Sequence, residues 1–212
     1  TGVRIQVSHL KTSGRSNWGM LDAALDKLNA ARNSGIELAA DRYPYIASST
    51  DLDAIFPNWA KEGGKDAILA RLADKSTRGR LKDELLANRP ESSWGNIVVG
   101  STYHPDNIRF MGRPLDEIAK TLNLDIVDAA IHLIETDSLR TSAFFFGMSE
   151  DNLWRILAQP WVMIGSDSSI RAPTGPLSHD HPHPRAYGAF ARFLRAALDG
   201  KTVPLPEAIR KM

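Results

Sequence analysis

Two short stretches place chemistry-bearing side chains at the ends of apolar runs. Trp161-Val162-Met163-Ile164 leads into Gly165-Ser166-Asp167, and Val3-Arg4-Ile5-Gln6-Val7 leads into Ser8-His9. Each reads as a short strand whose last residues emerge at the end of a sheet. The C-terminal end of a parallel strand is where α/β enzymes carry catalytic groups, although an aspartate there also serves to cap a turn. An imidazole can bind a divalent metal, and a carboxylate beside it can take the proton of a metal-bound water. A histidine at a strand end is also often a hydrogen-bonded structural residue. Nucleophilic chemistry fits poorly. There is no Gly-x-Ser-x-Gly elbow, and neighbouring strand residues such as Ser8 and His9 point to opposite faces.

The tract His179-Asp180-His181-Pro182-His183-Pro184-Arg185 also offers imidazoles. Its prolines keep the segment extended and splay the rings, so it reads better as a loop over the mouth of a site. Arg185 in that loop offers a planar fork to a carboxylate. His104, before a proline, and His132, among Ile131, Leu133 and Ile134 on a helix, read as structural.

The elements that must hold these residues follow from hydropathy. Strands are predicted at 3–9, 36–43, 96–101, 142–147 and 161–166. Helices are predicted from about Asn17 to Asn33 (with Met20, Leu21, Ala24, Leu25 and Leu28 in one apolar stripe), over 64–74, 76–87, 115–122, 126–136, 150–157 and 186–198, and near the C-terminus. Phe190, Phe193 and Leu194 are expected to point inward. Charges on the 64–87 helices read as solvated faces, and residues 45–59 as irregular, with Ser48 to Asp51 a turn or cap. Strands alternating with helices imply a parallel sheet. The stretch from 50 to 112 breaks that rhythm and reads as an insertion. The domain reading is therefore 1–49 as barrel strands and helix, 50–112 as inserted segment, and 113–212 as remaining barrel units and C-terminal helix. The four strand–helix units near 3–9, 36–43, 142–147 and 161–166 would make half of a (β/α)8 TIM barrel. Half a barrel leaves open edges, so pairing with further chain or self-association is expected.

Composition sets bounds. The 212 residues contain 42% hydrophobic and 24% charged residues, with a formal net charge of +1 at pH 7, typical of a globular domain. That balance gives no argument for nucleic acid or an anionic membrane surface, and no apolar run is long enough to span a bilayer. With no cysteine, any metal in this chain must be held by His, Asp or Glu. The first residue is Thr1 and the last, Met212, falls in a helical pattern; we expect a fragment of a longer, cytoplasmic protein.

Six ordered motifs carry a resemblance. They are Val7-Ser8-His9-Leu10-Lys11, Asn17-Trp18-Gly19, Asp41-Arg42-Tyr43-Pro44-Tyr45-Ile46-Ala47-Ser48-Ser49-Thr50, Gly112 to Ala119, Ile164 to Asp167, and His183 to Phe190. In this order they resemble the C-terminal half of the N-acyl-D-amino-acid deacylases (D-aminoacylases) of the zinc-dependent amidohydrolase superfamily. The resemblance implies a TIM barrel, Zn2+, and hydrolysis of an N-acyl-D-amino acid to the acid and the free D-amino acid. It implies His9 as a zinc ligand, Asp167 as the general acid/base, Arg185 as a partner of the substrate carboxylate and Tyr43 as a residue lining the pocket. It also implies a His-x-His pair and a cysteine ligand upstream of Thr1, and a histidine near Asp41; residues 36–45 contain none. The alternative is a non-catalytic amidohydrolase-like scaffold that binds a small molecule or partner.

Overall fold

Helix α1 (Leu21–Asn33) begins one turn later than the apolar stripe suggests. Residues Arg15–Met20 wind more tightly into a 3-10 turn, which leaves Met20 60% exposed while Leu21 and Leu25 are buried. A computed structural model describes residues 2–178 and 180–212, and Cα packing divides them into two units. In chain order the strands are β1 (Ile5–Val7), β2 (Leu38–Arg42), β3 (Ala47–Asp51), β4 (Ile97–Val99), β5 (Ser142–Phe146) and β6 (Val162–Ile164). After α1 come α2 (Asn58–Lys61), α3 (Gly64–Ala73), α4 (Lys75–Asn88), α5 (Leu115–Leu122) and α6 (Ile126–Thr136). Then follow α7 (Glu150–Ala158), α8 (Arg185–Leu198) and α9 (Leu205–Arg210).

The first unit comprises 1–47, 147–177 and 182–212. It holds a parallel sheet in the order β1-β2-β6. Ile5 pairs with Leu38 and Val7 with Ala40; Ala40 pairs with Val162 and Arg42 with Ile164. The sheet packs on α1, α7 and α8 through Leu21, Leu25, Leu38, Leu153, Ile156, Val162, Ile164 and Phe193. Phe193 is fully buried, but Phe190, expected beside it, is 40% exposed, because the buried stripe of α8 runs through Ala189, Phe193, Ala196 and Ala197. Ser149 caps α7 by accepting from the Asn152 N–H at 3.3 Å. At the other end of that helix the Lys211 ammonium donates to the carbonyls of Leu157 (2.7 Å) and Gln159, groups a helix end leaves without partners, and to that of Val162 (3.0 Å) at the start of β6. The Lys211 carbonyl in turn accepts the Ile164 N–H at 3.1 Å, which covers the free edge of β6.

The second unit comprises 48–146 and 178–181. Residues 113–146, expected with the barrel units, thus share a unit with the segment 50–112. Its sheet has the order β3-β5-β4. Two expectations change here. Ser48 to Asp51 form most of β3 rather than a turn. Strand β5, expected as a parallel barrel strand, runs antiparallel to β4, with Ile97 opposite Phe145 and Val99 opposite Ala143. Hydropathy fixes that a segment is a strand, but pairing direction depends on which partner buries it; here Ile97, Val99 and Ala143 are all at most 1% exposed. The core adds Leu52, Trp94, Phe110, Ile118, Ile131 and Leu133. The charges of α4 are not all solvated. Arg78 reaches Asp128 (3.1 Å) and Glu135 (3.0 Å), and Lys82 reaches Asp128 (2.7 Å), which ties α4 to α6 through half-buried ion pairs.

The observed class is α/β, with two small sheets. Among the described residues no helix is long and apolar enough to cross a membrane.

Candidate functional site at the carboxyl edge of the parallel sheet

Because β1, β2 and β6 are parallel, their C-terminal ends lie along one edge, where α/β enzymes bind ligands. β1 stops at Val7, so His9 stands two residues past the strand rather than on it. Asp167 stands three residues past β6. Both adopt left-handed backbone, His9 with φ 44° and Asp167 with φ 48°, a conformation that costs a non-glycine residue roughly 1–2 kcal/mol. Such outliers persist only where neighbours over-determine them.

For His9 the neighbour is Asp41 on β2. Its Oδ1 accepts the His9 N–H at 2.8 Å, its Oδ2 accepts from Gln6 Nε2 at 2.8 Å, and its carbonyl accepts the Leu10 N–H at 2.9 Å. The exit of β6 passes just beside Asp41. A Cβ placed on Gly165 would lie 3.3 Å from that of Asp41, so the glycine leaves room for the carboxylate. For Asp167 the neighbour is Arg185, the first residue of α8, whose Nη1 donates to Oδ2 at 2.7 Å. The Arg185 side chain is only 11% exposed and that of Asp167 35%.

Tyr43 organises the cations. The Arg42 guanidinium lies 4.2 Å from its ring centroid, that of Arg185 4.5 Å, and the Lys11 ammonium 5.7 Å. Tyr43 is fully buried. It lies just past β2, and its ring is a platform for Arg185. Arg42 is 1% exposed and donates through Nη2 to the Tyr45 carbonyl at 2.8 Å. Lys11 donates to the His9 carbonyl at 2.9 Å, and its Nζ stands 2.6 Å from His9 Nδ1. Burial, reinforced by Arg42 and Arg185, pulls the Lys11 pKa down to about 8 against the opposing pull of Asp167 and Asp41.

The histidine tract divides. His179 lies outside the described residues. His181 belongs to the second unit, where its N–H donates to Ser101 Oγ at 2.9 Å. His183 belongs to the first and is 6% exposed, with its ring 5.2 Å from that of Tyr45 and edge-on to it. Its Nδ1 accepts the Arg185 N–H at 3.0 Å, which presets the neutral imidazole. Burial first, then Arg185 and Arg42, lowers its pKa to about 4 from 6.5. The unfolded chain therefore binds this proton at a higher pH than the folded one. Stability contributed by neutral His183 is complete above about pH 6.5 and is lost as the pH falls toward 4. Urea unfolding of the wild type across that window is expected to show a pH slope steeper, by about one proton, than that of His183→Gln. Equal slopes would show that His183 does not titrate out of its burial.

The described residues do not by themselves make a zinc site. Among the described residues no group of three or more His, Cys, Asp or Glu side chains could hold a metal ion. His9 Nδ1 faces Lys11, and both Asp41 oxygens take protein donors.

The parallel sheet with polar side chains gathered at its carboxyl edge defines an α/β protein with an enzyme-like site. Comparison narrows this. The chain is 30% identical over 214 residues to N-acyl-D-glutamate deacylase of Alcaligenes xylosoxydans xylosoxydans, with all of the chain covered. It is 30% identical to D-aminoacylase of the same organism over 99% of its length. Among solved structures, N-acyl-D-glutamate deacylase from Bordetella bronchiseptica, complexed with zinc and a phosphonate mimic of the tetrahedral intermediate, matches all of the chain with a TM-score of 0.70 and 28% identity. A D-aminoacylase described as defining a novel subset of amidohydrolases matches 99% of the chain with a TM-score of 0.65 and 30% identity. No family model matches. The chain is thus related along its whole length to the N-acyl-D-amino-acid deacylases, and it spans 34% of the length of those two curated relatives.

Lys11, Asp41 and Arg42 were not singled out by the sequence as site residues, although all three lie within the motifs that carry the resemblance. Their charge alone does not tell a site from a solvated strand end.

Proposed function

We propose that this chain is part of a hydrolase that cleaves the amide bond of N-acyl-D-amino acids, releasing the acid and the free D-amino acid. The observation that supports it best is the pairing of Asp167 with Arg185 past β6, at the same carboxyl edge of the parallel sheet as His9 past β1, in a chain similar throughout to deacylases. In this reading Asp167 takes the proton of the attacking water and returns it to the departing amine. Arg185 aligns that carboxylate through Nη1 and, with five N–H donors in its fork, also meets the substrate carboxylate. Tyr43 carries the Arg185 guanidinium on its ring and lines the pocket. Zinc, as in the Bordetella relative, would activate the water, with His9 the ligand we assign to it. Among the described residues no group of three or more His, Cys, Asp or Glu could hold the ion.

We further propose that β1, β2 and β6 are part of a (β/α)8 barrel, completed by additional chain or by a second copy of this one, and that the 212 residues alone are inactive. Metal content and turnover of the full-length protein on a panel of N-acyl-D- and N-acyl-L-amino acids test the reading. Zinc together with D-selective release of amine is the expected result. A zinc-free protein with no turnover on any member would leave the second reading, a non-catalytic scaffold, which the lack of a histidine at 36–45 favours.

A further inference from the structure

His183 takes no part in the reaction proposed above, yet it is buried against two aromatic rings, Tyr43 at 6.1 Å between centroids and Tyr45 at 5.2 Å. The ring is also hydrogen-bonded to the Ala47 backbone. What it holds lies two residues on. Helix α8 opens at Arg185, and the first N–H groups of a helix have no acceptor within it. Pro184, at the cap position, has no polar side chain to offer them. His183 supplies two acceptors instead. Its Nδ1 takes the Arg185 N–H at 3.0 Å, and its carbonyl takes the Ala186 N–H at 2.9 Å. A backbone N–H only donates, so the ring nitrogen is the acceptor. Tyr45 holds the same turn. Its hydroxyl donates to the Pro184 carbonyl at 3.5 Å, and a Cβ placed on Gly188 would collide with that hydroxyl.

We propose that His183 is a positioning residue: its imidazole fixes the first turn of α8, and that turn aims the Arg185 guanidinium at Asp167 and over the Tyr43 ring. The aim is narrow. Arg185 Nη1 stands 2.7 Å from Asp167 Oδ2, and the guanidinium lies 4.5 Å from the Tyr43 centroid. Arginine has a long side chain with many rotamers, so a backbone left loose at its root would spread the guanidinium over many positions. The consequence for turnover rests on the deacylase reading; the hydrogen bond and the aim of Arg185 do not.

Two substitutions in the full-length protein separate positioning from packing. The side-chain oxygen of asparagine is bonded to Cγ, as Nδ1 of histidine is, so His183→Asn keeps an acceptor for the N–H two residues on but leaves space beside Tyr45. His183→Leu fills that space better and has no acceptor. Positioning predicts that leucine lowers kcat/KM on an N-acyl-D-amino acid by about 10- to 100-fold, while asparagine stays within about threefold of wild type. A packing role predicts the reverse order. Leucine at or above asparagine, or both near wild type, overturns the proposal. Phenylglyoxal modification of Arg185, followed by peptide mass spectrometry, needs no turnover. It is expected to run about fivefold faster in His183→Leu than in His183→Asn, with buried Arg42 unchanged as the control for general loosening. Equal rates at Arg185, or a matching rise at Arg42, overturn the proposal. Should a variant fail to fold, hydrogen exchange at the Arg185 amide of the wild type decides. Protection of about tenfold or more is expected at this first helical residue, and exchange at the random-coil rate overturns the inference. A full-length protein without deacylase activity would sink the functional reading and leave the modification and exchange rates to judge His183. An active enzyme in which leucine serves as well as asparagine would do the opposite.

Discussion

Asp167→Asn in the full-length protein is expected to lower deacylase turnover by roughly 10²–10⁴-fold, the range for loss of a general acid/base, while substrate affinity changes little. An amide in place of the carboxylate keeps the shape of the side chain. It still offers an oxygen to the Arg185 Nη1 that now donates to Oδ2 at 2.7 Å, so the position of Arg185 should survive. What it loses is the ability to accept and return a proton. Single-turnover and steady-state kinetics with an N-acyl-D-amino acid separate the two effects: kcat should collapse and the dissociation constant of substrate should hold. Turnover within a few-fold of wild type would remove Asp167 from the proton-transfer role. A parallel collapse of binding would point instead to a structural role for the Asp167–Arg185 pair.

The largest effect on stability is expected at Asp137, in the second unit. This carboxylate is fully buried at the end of α6. Its Oδ1 accepts the N–H groups of Tyr103 (2.9 Å) and His104 (2.8 Å), its Oδ2 accepts the Thr141 hydroxyl (3.0 Å), and Arg140 lies 3.6 Å away. Asp137 thus ties the loop after β4 to the segment that enters β5. Asp137→Ala strands two backbone donors and a hydroxyl away from water, and a cost of about 3 kcal/mol or more follows from the penalty for buried unpaired groups. Asp137→Asn retains one carbonyl oxygen for the two backbone donors and should cost about a third as much. Urea unfolding of the three proteins at one pH measures both differences. If alanine costs less than about 1 kcal/mol, these donors find water or other partners and the argument from burial fails.

Periodicity placed α3, α5, α6 and α7 within a residue or two, because each has a stripe of apolar side chains that any packing must bury. It placed β1, β2 and β6 for the same reason, as short apolar runs bounded by polar residues. It missed β3, whose Ser48, Ser49, Thr50 and Asp51 have the composition of a turn and become a strand only through the neighbouring β5. Phe144 to Phe146 marked a strand, but nothing in three phenylalanines states whether its partner runs parallel or antiparallel. The candidate site was legible in the same uneven way. His9 and Asp167 stand out as polar residues at the ends of apolar runs, whereas Lys11, Asp41 and Arg42 look like ordinary charges until their contacts are known.

The sequence by itself determined the class of chemistry open to this protein. It has no thiolate for a metal or a disulfide, its charge is near balance, and it carries an imidazole and a carboxylate where strands end, within motifs that resemble those of deacylases. Those are properties of residue types and local order, which survive in one dimension. Only the tertiary structure decided who touches whom: Asp167 with Arg185, Arg185 with Tyr43, His9 with Asp41 and Lys11. The protonation form of an imidazole and the pairing of a carboxylate are set by groups within hydrogen-bond reach, and most of these groups come from strands and helices that only folding brings to one edge.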